Sequence, residues 1–188
     1  MRKIPMVAAI LFAACLAVLP IRAQDMNMKK AEPKPALGPT DALLQGWNDL
    51  GRRLITIAED MPEDMYDYKP KPEMRSWLGQ LVHAAQSNYY FVNPIIGKPF
   101  PSDDPDMSQL KTRAQVVAFV KKSFQDGADI IKAQGDAGLA KTVNLGGQLM
   151  RIDAFANSII AHGNEHYGQI VVYYRLNGLV PPESRPKK

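Results

Sequence analysis

Between Ala154 and Pro182 the chain reads AFANSIIAHGNEHYGQIVVYYRLNGLVPP, an apolar stretch of helical length with two histidines set into it. His162 and His166 are four residues apart, a step that brings both imidazoles onto one face of a helix, one turn apart. Gln169 and Tyr173 continue that face. Phe155, Ile159, Ile160, Ile170, Val171 and Val172 make the rest of the run apolar, so the helix must be buried and its polar stripe with it. A buried polar group without a partner costs a few kcal/mol, so this stripe needs partners. A metal ion is one way to supply them.

The remaining apolar periodicity places three more helices. One begins at Thr40, with Asp41 in its first turn, and carries Leu43, Leu44, Trp47, Leu50, Leu54 and Ile57 at steps of three and four. Met61 to Met74 is rich in proline and acid and reads as a surface connection. A second helix starts at Ser76, shows Trp77, Leu78, Leu81, Val82, Ala84 and Ala85, and runs to about Phe91 before Pro94 interrupts it. Residues 94–111 form a long loop, a length that in a compact domain goes with function. The third helix follows Thr112 through Val116, Val117, Phe119, Val120, Phe124, Ile130 and Ile131, and Gly135 stops it. Gly127 inside it costs about 1 kcal/mol relative to alanine. Residues 136–150 read as a loop with a short extended piece at Thr142–Asn144. The last helix spans about Arg151 to Leu176, capped by Asn177-Gly178. No repeat and no strand alternation suffices for a sheet, so the fold class is all-α: a four-helix bundle over residues 40–182.

The first residues do not belong to that fold. Arg2 and Lys3 precede an apolar run from Met6 to Leu19 and a small-residue exit at Ala23, the pattern of a secretory signal peptide over residues 1–23. The run is short for a membrane span, which takes roughly 20 apolar residues. Export to the periplasm or outside the cell is therefore expected, with no membrane attachment after cleavage. Residues 24–39, with Pro33 and Pro35, read as a flexible linker, and residues 183–188 as a disordered tail. Cleavage would remove Arg2, Lys3 and Arg22 and leave 20 of the 23 basic residues against 19 acidic ones. A chain so nearly neutral gives no reason to expect a nucleic-acid partner. The one cysteine, Cys15, lies in the leader, which takes disulfides, thiolate metal sites and a cysteine nucleophile out of consideration for the mature domain.

The third histidine, His83, lies in the second helix among Gln80, Gln86, Ser87 and Tyr90. Spacing alone leaves two readings open: three separately satisfied histidines, or a metal site built across facing helices. Three imidazoles without a fourth protein ligand describe an open site, where a small molecule can take the remaining position. Zinc suits such a site first, with nickel, iron and copper as further candidates, since imidazole serves them all. Such an ion polarises an oxygen, activates a sulfur nucleophile and lowers the pKa of water towards ~7. Gln169 and Tyr173 are the expected supports of the rings, and Glu165, flanking the pair on the helix, is the candidate general base. His162-Gly-Asn-Glu-His166 also fits the H-x-x-E-H pattern of inverted zinc proteases, which demands a distant acidic ligand; only Glu183 follows.

The stretch HGNEHYGQIVVYYRLNGLVPP resembles the closing signature of the DinB-like four-helix-bundle metalloproteins. In that family a second-helix histidine joins an HxxxH pair on the last helix, followed by Gly-Gln and Tyr-x-Arg. The matching positions are His83, His162, His166, Gly168-Gln169, Tyr173 or Tyr174, and Arg175. MYDYKPKPEMRSWLGQLVHAAQ is similar to the family's approach to its first ligand. The resemblance implies one divalent metal held by His83, His162 and His166, and a hydrolase or transferase acting on a small molecule; a non-catalytic binding bundle is the alternative. Relatives include thiol S-transferases and isomerases that use bacillithiol or mycothiol. Tyr167 stands where arginine is common, and an export signal separates the chain from the cytosolic pool of reduced thiols. Bundles of this type also form homodimers.

Overall fold

A computed structural model describes residues 35–103 and 106–186. The signal-peptide assignment and the first part of the linker, to residue 34, lie outside the described residues. Helix α1 spans Pro39–Asp60 and turns Leu43, Trp47, Leu50, Leu54 and Ile57 inward, all buried. Each such side chain contributes about 1.5–3 kcal/mol of apolar burial. The expected N-cap, Thr40, is already inside the helix. Gly38 is the cap and Pro39 opens the first turn, where a missing N–H costs nothing. Thr40 instead bonds across the bundle: its backbone N–H (2.9 Å) and its hydroxyl (2.5 Å) both donate to Asp136 Oδ1.

The connection after α1 is more than a surface strap. Met61 and Tyr66 are buried, and Tyr66 stacks on Trp77 with centroids 5.3 Å apart. Helix α2, Trp77–Gln86, begins as the sequence predicts, with the Ser76 hydroxyl accepting from the Gly79 N–H at 3.1 Å. The periodicity predicts one helix to about Phe91; the chain instead breaks at Ser87, whose hydroxyl donates to the His83 carbonyl (2.8 Å), and resumes as α3, Asn88–Ile95. Pro94 falls in the final turn of α3 and ends it one residue later.

Helix α4, Arg113–Leu139, carries a full capping box between Thr112 and Gln115. Gly135 (φ 57°, ψ −178°) breaks the helical path as the sequence predicts, and one further turn follows. Gly127 has a packing reason. A Cβ there would lie 2.0 Å from Trp47 Cζ2, so α1 and α4 approach this closely only because the side chain is missing. The Trp47 indole N–H donates to the Phe124 carbonyl at 2.9 Å, satisfying its one polar atom in the core.

The segment read as a loop holds a β-hairpin. β1, Thr142–Leu145, pairs antiparallel with β2, Gln148–Arg151, in the register Leu145↔Gln148 and Thr142↔Arg151. The turn residues Gly146 (φ 65°) and Gly147 (φ 102°) have the positive φ that two-residue hairpins demand. The two-residue Gly-Gly turn is the signal that four-residue strands were too short to show by alternation. Helix α5, Ile152–Leu176, closes the bundle, and Gly178 (φ 68°) ends it as expected. α1 packs along α4 and α5, and α2 along α5, so the four bundle rods are α1, α2 with α3, α4, and α5. Beyond Pro181 the chain turns through a 3-10 segment, Pro182–Ser184. Arg185 clasps Asp60 at 2.6 and 2.7 Å, so residues 183–186 are placed against α1 and do not trail as the predicted tail. Among the described residues no helix is long and apolar enough to cross a membrane.

Candidate metal centre

Helices α2 and α5 lie side by side with their histidines at the same level. Trp77, Leu81, Val82 and Ala85 hold α2 in the core; Phe155, Ala156, Ile159, Ile170 and Tyr174 hold α5. That packing fixes the rotation of each helix, and the rotation turns His83 towards His162 and His166. One ring nitrogen from each of the three comes within 4.8 Å of the others. His162 Nε2 and His166 Nε2 are 2.9 Å apart, and ring centroids are 4.3, 4.7 and 5.3 Å apart around the triangle. Zinc bonds of 2.0–2.1 Å in a tetrahedron would place ligand nitrogens about 3.4 Å apart, within this range.

The protonation states suit such an ion. Burial lowers the pKa of all three histidines, with the positive charge of Arg75 adding to the effect. His166, 6% exposed, falls to about 4, pushed first by burial and then by His162 and His83. Neutral imidazole is the form that ligates a metal. The three histidines can therefore hold a metal ion. The geometry leaves a buried cost unmet as well: His162 Nδ1 has no hydrogen-bond partner among the described residues.

Gln80 reaches His166 from beside the cluster, and Gln169 reaches it through Gln80. The Gln80 side-chain amide, itself buried, lies 2.9 Å from His166 Nδ1 and also bonds Gln169. For His166 Nε2 to be bare, the ring proton must sit on Nδ1, and the amides of Gln80 and Gln169 must both turn over so that Gln80 Oε1 accepts from His166 Nδ1 and from Gln169 Nε2. Gln169 thus acts through Gln80; in the arrangement observed, Gln80 Nε2 donates to Gln169 Oε1 and Gln169 Nε2 donates to Glu165 at 3.2 Å, a bond given up when the amides turn. Tyr173 does not support a histidine. Its hydroxyl donates to the Arg75 carbonyl at 2.8 Å and pins the approach to α2. Glu165 is exposed and does not line the cleft beside the histidines. Glu183, the acid a protease reading would need, pairs with Arg52 on α1 at 2.5 Å.

That cleft, about 350 Å³, opens on His83 and His162 and is floored by Phe155 and Ile159. Ser87, Ser158, Tyr90 and Asp103 complete its wall. Asp103 comes from the long loop after α3, and the Tyr90 hydroxyl donates to its carboxylate. Nothing in the local sequence singles it out beyond the length of that loop. A larger depression of about 610 Å³ along α1, lined by Gln45, Asn48, Asp49 and Arg52, is shallow and far more polar. Volume alone would favour it; converging ligand nitrogens and an apolar floor decide for the smaller one.

The DinB superfamily model matches residues 47–170. The chain is similar in fold to a DinB-like protein from Bacillus cereus ATCC 10987 (TM-score 0.63, 17% identity, 76% of this chain and 95% of the other). It is similar too to a DinB-like protein from Bacillus subtilis (TM-score 0.59, 18% identity, 77% and 99%). No curated protein matches it. With two thirds of its length inside the family pattern and its bundle superposable on two such structures, the chain belongs to the DinB superfamily.

Proposed function

We propose that the protein is an exported metalloprotein that holds one divalent ion, zinc first among the candidates, between His83, His162 and His166. Its activity would be that of a hydrolase or transferase on a small molecule. The observation that carries this reading is the convergence of three neutral imidazoles at the end of a cleft large enough for a small organic ligand. Bound there, the ion would act as a Lewis acid towards an oxygen or sulfur donor. The chain's own residues do the rest. Gln80 fixes the orientation of His166, and Gln169 fixes Gln80. Phe155 and Ile159 exclude water from one side of a bound molecule. Asp103 lines the same cleft and is not among the three residues that could share the ion.

The second reading is a bundle that binds metal or ligand without turnover. What favours it is the position of Glu165, exposed and bonded by Gln169, which leaves the expected base outside the cleft. Elemental analysis of protein purified without chelator decides the metal: about one divalent ion per chain in the wild type and none in His83→Ala. Retention of the ion in that variant would end the three-histidine assignment. A turnover screen of zinc-loaded protein on small esters and thiols then separates the two readings. Export is checked by the N-terminal residue of protein recovered from the producing cells, expected to be Gln24.

A further inference from the structure

The polar atoms of the cleft share one property. The Ser87 hydroxyl spends its proton on the His83 carbonyl at 2.8 Å, and the Ser158 hydroxyl spends its own on the Phe155 carbonyl at 2.7 Å. The Tyr90 hydroxyl donates to Asp103. Every hydroxyl on the wall is therefore committed as a donor and faces the cleft only with lone pairs. The Asp103 carboxylate adds more acceptor capacity and, among the described residues, the only negative charge on the lining. Apart from the histidine nitrogens, no side chain on this surface can donate among the described residues. The Tyr90 ring, stacked on Phe100 at 5.6 Å, offers a further electron-rich face.

We propose that this cleft selects an organic amine: a compact molecule whose ammonium group lies against Asp103 and the Ser87 and Ser158 oxygens, with its apolar body on Phe155 and Ile159. This names the substrate class of the site proposed above and rests on that reading only for the role of the ion. An ammonium brings three donors and a positive charge to a wall of acceptors. It also gains from the Tyr90 face. A carboxylate or phosphate of the same size would meet lone pairs and a like charge, and would lose the hydrogen bonds it leaves behind in water. Asp103 is then the residue that determines specificity.

The test uses three probes that share a ring and differ in charge: phenethylamine, 2-phenylethanol and 3-phenylpropionate. Binding to the full chain is followed by ligand-detected NMR, with and without zinc. The amine is expected to bind about three- to five-fold tighter than the alcohol, the scale of a solvent-exposed ion pair. In chelator-treated protein, 3-phenylpropionate is expected to bind weakest. Asp103→Asn should abolish the amine preference, and Asp103→Glu should keep it. Equal binding of amine and alcohol, or a preference that survives Asp103→Asn, overturns the assignment. Loss of the preference in Asp103→Glu as well overturns it too, by making loop shape and not charge responsible. Because the preference is also read without zinc, absence of metal binding would sink the metal reading while leaving this result standing.

Discussion

The side-chain amide of Gln80 lies 2.9 Å from Nδ1 of His166, tying α2 to α5 at the level of the histidine cluster. Both residues are buried, so neither can exchange the other for bulk water. Replacing Gln80 by leucine keeps the volume and removes the acceptor that the ligating tautomer of His166 needs. Zinc affinity is expected to fall 10- to 100-fold, as measured by competition with a chromogenic chelator. The fold should survive with its helical circular dichroism intact. Unchanged affinity in Gln80→Leu would show that His166 is oriented by packing alone.

Metal should also register as stability. An ion that binds the folded chain and not the unfolded one stabilises it by about 2.7 kcal/mol at a free concentration of 100 Kd. The melting temperature is thus expected to rise on adding zinc and to fall back on adding chelator. His162→Ala and His166→Ala should each abolish the zinc-dependent rise. A rise of the same size in either variant would place the ion elsewhere.

The lowered histidine pKa values predict the pH response of the metal-free protein. Below pH 6.5 the unfolded chain takes up protons at these positions that the folded chain refuses, His166 until about pH 4. Stability from this source is complete above pH 6.5 and is lost as the pH falls towards 4. Urea midpoints measured between pH 7.5 and 4.5 should decline, and less steeply in His166→Phe. Zinc affinity should fall over the same interval, because protons compete for the ligating nitrogens. A midpoint independent of pH between 6.5 and 4.5 would contradict the burial of these rings.

Gly127 faces the Trp47 ring so closely that a single methyl group has no room, its Cβ falling 2.0 Å from Cζ2. In an exposed helix Gly→Ala would stabilise by about 1 kcal/mol. Here the displaced indole must also strain or break its bond to the Phe124 carbonyl. Overpacking of this kind costs about 1–3 kcal/mol, so Gly127→Ala is expected to lower the urea midpoint and shift the emission of Trp47. A stabilised variant would mean that the α1–α4 interface gives way readily.

The sequence determined the rods. Apolar side chains at steps of three and four, Ser76 and Thr112 as caps, and Gly135 and Gly178 as stops are local signals, and each acts within a turn or two of its own position. The His162–His166 pairing is local in the same way, since a four-residue step on a helix leaves the two rings no freedom to part. The hairpin after α4 was legible in principle from Gly146-Gly147 alone. The break at Ser87 was not, because α2 and α3 present a continuous apolar pattern across it.

What only the tertiary structure decided was everything that depends on which faces meet. His83 joins the other two because the packing of Trp77 and Leu81 against the bundle fixes the rotation of α2, and no local pattern records that angle. Tyr173 lies away from the site for the same reason: its hydroxyl meets the Arg75 carbonyl, about two turns beyond His166. Asp103 reaches the cleft from a loop whose path depends on Tyr90 and Gln86, which hold Asp103 and the Ser102 carbonyl. Helical periodicity fixes a residue's angle about its own axis, whereas a site needs the angle between two axes, and only side-chain packing between the rods sets that.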